Sequence, residues 1–149
     1  MFVQQQLQRL NVIVKAGVIV KLTTGETAGE IIRLQPYHVV LPGFIDLHTH
    51  LRHPGSYKTI TLTTELTAAL RGGYNAVCCM ANTEPPLDNR TAITNLQTDL
   101  QQLQLPVRVN VWSALTKNLH DQALVDVKKL QTTVVGFSDD GHSNENRAL

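Results

Sequence analysis

The sequence predicts an α/β protein in which a small β-rich segment, residues 1–40, precedes the first half of a (β/α)8 TIM barrel over residues 41–149. Three observations predict it. Short β-rich runs fill the first segment; past Pro42-Gly43, strand-like runs alternate with stretches of helical period; and that alternation gives four strands, half of what a closed barrel needs.

In the first segment, residues 12–14, 17–20, 30–32 and 38–40 read as strands, punctuated by Gly25, Gly29 and Pro36, with a boundary near Leu41. Residues 44–48 form the first barrel strand. The helix after it spans about 62–71, with Leu62, Leu66, Ala69 and Leu70 on one face, and Gly72-Gly73 ends it. Residues 76–80 form the second strand and run into a turn-rich loop at 82–86. The next helix carries Ile93, Leu96, Leu100 and Leu103 at spacings of three and four, and Pro106 closes that unit. Residues 107–112 are the third strand, 119–130 a third helix with Ala123, Leu124, Val127 and Leu130 inward, and 134–137 the fourth strand.

Such barrels take about 250 residues, so a chain of 149 residues is expected to be an N-terminal portion with open sheet edges. The alternative is an open α/β sheet of four or five strands, complete in itself.

Composition narrows the function classes. With 42% hydrophobic and 17% charged residues the chain is globular, and 13 Lys+Arg against 12 Asp+Glu leave a net charge of +1 with no basic run. That predicts neither a nucleic-acid partner nor an acidic membrane surface. Every apolar run falls short of the roughly 18–20 residues a membrane helix needs. The N-terminus lacks a charged start and an apolar core, so a cytoplasmic location is expected. The adjacent Cys78 and Cys79 fit neither a disulfide framework nor a CxxC site and read as small core residues.

The chemistry concentrates at strand ends. Asp46-Leu47-His48-Thr49-His50 ends the first barrel strand. Residues i and i+2 of a strand share a face, so His48 and His50 can present two imidazole nitrogens to one metal at the rim where barrel active sites lie. Asp46 shares their parity and could orient a ligand histidine. Ser138-Asp139-Asp140-Gly141 occupies the corresponding rim of the fourth strand, where one carboxylate can join the histidines while its neighbour turns away; an Asp-Gly turn is the plain alternative. Arg52 and Asn82 suit an acidic, amide-bearing substrate, a planar cationic fork and an amide that both donates and accepts. Read singly, they are an exposed cation and a loop-capping residue.

Together, Pro42-Gly43-Phe44-Ile45-Asp46-Leu47-His48-Thr49-His50-Leu51-Arg52, Arg71-Gly72-Gly73, Met80-Ala81-Asn82-Thr83-Glu84-Pro85-Pro86 and Phe137-Ser138-Asp139-Asp140-Gly141 resemble the dihydroorotases of the amidohydrolase superfamily, in the type whose bridging metal ligand is an aspartate. The resemblance runs from about Val40 to Gly141, and implies a metal-dependent-hydrolase-type barrel. It implies a zinc enzyme of pyrimidine biosynthesis, with one or two Zn2+ ions, that interconverts N-carbamoyl-aspartate and dihydroorotate. His48 and His50 match the first pair of zinc ligands and Asp140 the bridging aspartate, with Asp139 as the fallback one residue away. Arg52 and Asn82 match residues that hold the substrate carboxylate. The remaining histidine ligands and the catalytic aspartate are expected beyond Leu149.

Relatives acting on hydantoins or allantoin share the paired histidines but usually lack the Arg and Asn, and form the alternative enzyme reading. A non-catalytic scaffold is the alternative of another class. The partners implied are the small-molecule substrate and either a second copy or a complementing chain. His53 departs from the glutamate the family commonly carries after Leu-Arg, and His142 is a spare loop imidazole. His38 and His120 read as residues of a strand edge and a helix start, the latter shared with Asp121.

Overall fold

A computed structural model of the chain describes residues 2–3, 6–55, 61–143, 145–146 and 148–149, with the backbone alone for Phe2 and Val3. It divides into two units, Met1–Pro42 and Gly43–Leu149.

In the first unit, Phe2–Val3 (β1) pairs antiparallel with Gln6–Leu7 (β2), and Asn11–Lys15 (β3) with Val18–Thr23 (β4). Ala16 and Gly17, both at positive φ, make the two-residue connection whose twist matches the flanking strands. The strands expected at 30–32 and 38–40 do not form. A strand exists only through a partner's hydrogen bonds, and β-branched composition supplies none. Instead Ile32 is 83% exposed, and the chain turns at Pro36-Tyr37, where the His38 N–H donates to the Gln35 carbonyl at 2.9 Å. His38 also accepts the Gln35 N–H at its Nδ1, so it closes a turn rather than lying on a strand edge.

The second unit runs Phe44–Thr49 (β5), Leu62–Arg71 (α1), Tyr74–Cys79 (β6), Arg90–Leu103 (α2), Arg108–Ser113 (β7), a 3-10 turn at Lys117–Leu119, Val127–Leu130 (α3) and Gly136–Phe137 (β8). The four strands form one parallel sheet in the order β5-β6-β7-β8. Spatial order equals chain order, so the chain winds in one direction, as in a (β/α)8 barrel, and never reverses as in a doubly wound open sheet. The unit is part of such a barrel.

Local chemistry sets the element ends. Thr61 caps α1 in a reciprocal box with Thr64, and the Gly72 N–H returns to the Ala68 carbonyl at the other end. Asn89 caps α2 by accepting the Ala92 N–H at 3.0 Å. Leu62 and Leu66 of α1, Ile93 and Leu96 of α2 and Leu130 of α3 bury against Val77, Cys79 and Val111 of the sheet. β6 is buried from Ala76 to Cys79, which explains its unbroken apolar run.

Two helix expectations need correction. Leu70 is 41% exposed, because α1 turns its Leu62, Leu66 and Ala69 stripe to the core and Leu70 lies at its margin. The third helix is a single turn, Val127–Leu130, rather than 119–130. Asn118, Leu119 and Asp121 all take positive φ, which an α-helix cannot hold, and backbone bonds from Lys117 to Ala123 and from Val125 to Leu115 fold the segment into a loop. Ala123 and Leu124 are consequently exposed, and Val125 enters the core instead. His120 and Asp121 start no helix; the Asp121 carboxylate accepts the N–H groups of Glu145 and Asn146.

Candidate metal centre

Barrel strands deliver their C-terminal ends to one rim, and three strands do so here. His48 lies in β5 and His50 follows its last residue; Asn82 follows β6 and Asp140 follows β8. The register of β5 against β6 shifts between Asp46 and Thr49, and the Trp112 indole N–H donates to the Leu47 carbonyl within that irregular stretch at 3.0 Å. The His48 and His50 rings meet edge-on, centroids 5.2 Å apart.

Asp140 completes the group. Its Oδ1 lies 3.1 Å from His48 Nε2 and its Oδ2 lies 3.4 Å from His50 Nε2. One donor atom from each of the three residues lies within 4.8 Å of the others. Asn82 braces the arrangement, its Nδ2 donating to Asp140 Oδ2 at 2.9 Å and its Oδ1 standing 2.9 Å from His50 Nδ1. An amide oxygen only accepts, so Nδ1 carries the proton there. His50 Nε2, the nitrogen left over, faces the Asp140 carboxylate, and a cation, a proton or a metal ion, suits the space between them.

The donor set fits a divalent metal. Ligands about 2.0–2.1 Å from a tetrahedral zinc stand about 3.3 Å from each other, close to the two separations observed. Two imidazoles and a carboxylate, with a position left over, are the composition of catalytic rather than structural zinc sites. The histidine whose far nitrogen is fixed by Asn82 also has the outer-shell partner that metal-bound imidazoles carry.

Other residues take different places from those expected. Asp46 does not reach a histidine ring; its carboxylate accepts the His48 backbone N–H at 3.0 Å, which holds its pKa below the ordinary range. Asp139, the fallback ligand, is 5% exposed and turned away from the histidines, accepting from Leu115 and Thr116. Arg52 lies beyond β5 at positive φ, and its guanidinium has no partner among the described residues. Asn82, expected only at the substrate, touches two members of the cluster directly. His53 Nε2 lies 2.9 Å from Asp99 Oδ2 and ties the loop after β5 to α2. His142 is exposed and contributes its backbone N–H to the Asp139 carbonyl. Both cysteines are buried, and burial pushes the Cys79 thiol up to about 12.

Donor side chains gathered at the C-terminal rim of a singly wound parallel sheet define a class, the barrel domains that can carry a metal at that rim. Comparison with known proteins gives the family: residues 37–145 match the dihydro-orotase-like family, and the chain belongs to it. It is 42% identical over 103 residues to a dihydroorotase of Thermoanaerobacter sp. (strain X514), covering 68% of this chain and 24% of that protein. It is 34% identical over 143 residues to a dihydroorotase of Listeria monocytogenes serotype 4a (strain HCC23), covering 91% of this chain and 32% of that one. A dihydroorotase of Elusimicrobium minutum (strain Pei191) is 38% identical over 110 residues, 73% of this chain and 25% of the relative. The chain thus spans between about a quarter and a third of these relatives' length.

Proposed function

We propose that this chain supplies the first metal ligands and the carboxylate-binding residues of a zinc-dependent dihydroorotase, a cytoplasmic hydrolase of cyclic amide C–N bonds that interconverts N-carbamoyl-L-aspartate and dihydroorotate in pyrimidine biosynthesis. The observation that carries it is the convergence of His48 Nε2 and His50 Nε2 on the two oxygens of Asp140, at 3.1 and 3.4 Å, in one group of three donors. Zinc, when bound, supplies a nucleophile from water at neutral pH and polarises the amide carbonyl.

The chain's own residues do the rest of what is assigned to it. His48, His50 and Asp140 hold the ion. The Asn82 amide group has two N–H donors and uses one on Asp140, which leaves the other for a substrate oxygen. The Arg52 guanidinium, with no partner among the described residues, offers a planar fork for the substrate carboxylate. The reading assigns no proton-transfer residue to this chain.

The test is equilibrium binding to the zinc-loaded chain. N-carbamoyl-L-aspartate is expected to bind, and Arg52→Ala to weaken it about tenfold or more, the scale of a lost charge-assisted pair. Equal or tighter binding of hydantoin or allantoin, unaffected by that substitution, would overturn the substrate assignment.

A further inference from the structure

Asp139 and Asp140 are neighbours in sequence with opposite surroundings. Asp139 Oδ1 accepts the backbone N–H groups of Leu115 at 2.8 Å and Thr116 at 3.0 Å, and its Oδ2 accepts the Thr116 hydroxyl at 2.6 Å. Thr116 is fully buried, and its Oγ1 also accepts the Asp121 N–H at 3.2 Å. One carboxylate therefore joins the loop after β7 to the loop after β8 through three bonds in a water-poor setting, where such bonds are strong and a lost partner is costly.

That junction sits at the first corner of the turn that presents Asp140. The Ser138 N–H still donates to the Ser113 carbonyl at the end of β7. The His142 N–H then donates to the Asp139 carbonyl at 2.8 Å, with Gly141 between them at positive φ. Fixing Asp139 thus fixes where the turn begins and to which side the next side chain emerges. Only Asp140 is left to face His48 and His50.

We propose that Asp139 and Thr116 are positioning residues for the metal centre: their buried carboxylate–hydroxyl bond sets the direction of Asp140 and, through it, the affinity for zinc. The inference rests on the zinc reading above and adds to it residues that touch neither metal nor substrate.

The test measures Zn2+ affinity of the purified chain by competition with a chromophoric chelator, together with the visible spectrum of the Co2+ form. Thr116→Val keeps the shape and removes the hydroxyl; by letting Asp140 turn it is expected to weaken zinc about tenfold or more, the low end of what disturbing a ligand's surroundings costs, and to alter the Co2+ bands. Thr116→Ser restores the hydroxyl and is expected to bind as the parent chain does. Ser113→Ala removes another fully buried hydroxyl, one bonded to the Leu87 and Ala114 carbonyls and not to Asp139. It is expected to lower the melting temperature and leave zinc affinity unchanged.

A folded Thr116→Val chain with parental affinity and spectrum overturns the inference and leaves the zinc reading standing. Should that variant not fold, Thr116→Ala decides, since it removes the hydroxyl without setting a methyl group against the Asp139 carboxylate; parental affinity there overturns the inference equally. A parent chain that takes up no Zn2+ overturns the reading and the inference together.

Discussion

His48 Nε2 lies 3.1 Å from Asp140 Oδ1, although the strands that end at these residues are the two edges of the four-stranded sheet. Neighbouring strands lie about 4.8 Å apart, so three intervals of a flat sheet would separate such ends by about 14 Å. The two side chains meet because the sheet is curled, as a barrel requires. Curvature and the cluster are one structural fact, and a change that flattens the sheet should disperse the donors.

Gly136→Ala tests that link. A Cβ at Gly136 would run into the six-membered ring of Trp112, whose indole N–H holds the Leu47 carbonyl beside His48. Overpacking of this kind costs about 1–3 kcal/mol. The expected outcome in chemical denaturation is a loss of that size, with a shifted emission from Trp112, the one tryptophan in the chain, and weaker zinc binding. Unchanged stability and zinc affinity would separate the Trp112 contact from the site.

Asn82→Ala removes the brace between His50 and Asp140 while sparing all three donors. Zinc affinity is expected to fall about 10- to 100-fold, the usual effect of deleting an outer-shell partner. Chelator competition reads it directly, and a fall smaller than threefold would reduce Asn82 to a substrate contact.

The core is tested by two leucines on neighbouring helices. Leu96 is 1% exposed, and Leu96→Ala is expected to cost about 2–5 kcal/mol. Leu70 carries the same apolar label in α1 yet faces water, and Leu70→Ala should stay within about 0.5 kcal/mol of the parent. Urea unfolding of the pair checks both, and equal losses would contradict the packing of α1.

What the sequence displayed and what it hid follow from how each feature is encoded. That paired histidines and one carboxylate of the Asp139-Asp140 pair could meet was legible from strand parity and strand-end placement, whereas the choice of Asp140 came from the family resemblance; α1 and α2 announce themselves by their helical period and the four strands by short apolar runs. The third helix failed because positive φ at Asn118, Leu119 and Asp121 carries no apolar signature. The strands at 30–32 and 38–40 failed because pairing depends on a neighbour that the local residues do not specify. The tie from Asp139 to Thr116 spans two loops, so no spacing rule reveals it; only the need of one Asp in the pair to turn away hinted at it.

Cys79 gives the alkaline dependence. Its thiol is raised by burial from 9.0 to about 12, so in that window the folded chain keeps a proton that the unfolded chain has lost. This contribution to stability is fully present below about pH 9 and is lost as pH rises toward 12. Cys79→Ala should therefore flatten the fall in stability between pH 8 and pH 11 in urea titrations. A parallel fall in parent and variant would contradict the burial effect.

The most direct measurement is zinc K-edge X-ray absorption on the zinc-loaded chain. The account predicts nitrogen and oxygen ligands near 2.0–2.1 Å, scattering from two imidazoles and no sulfur, with one imidazole lost in His50→Ala. A sulfur ligand, which would implicate Cys78 or Cys79, or a spectrum that His50→Ala and Asp140→Ala leave unchanged, would contradict it.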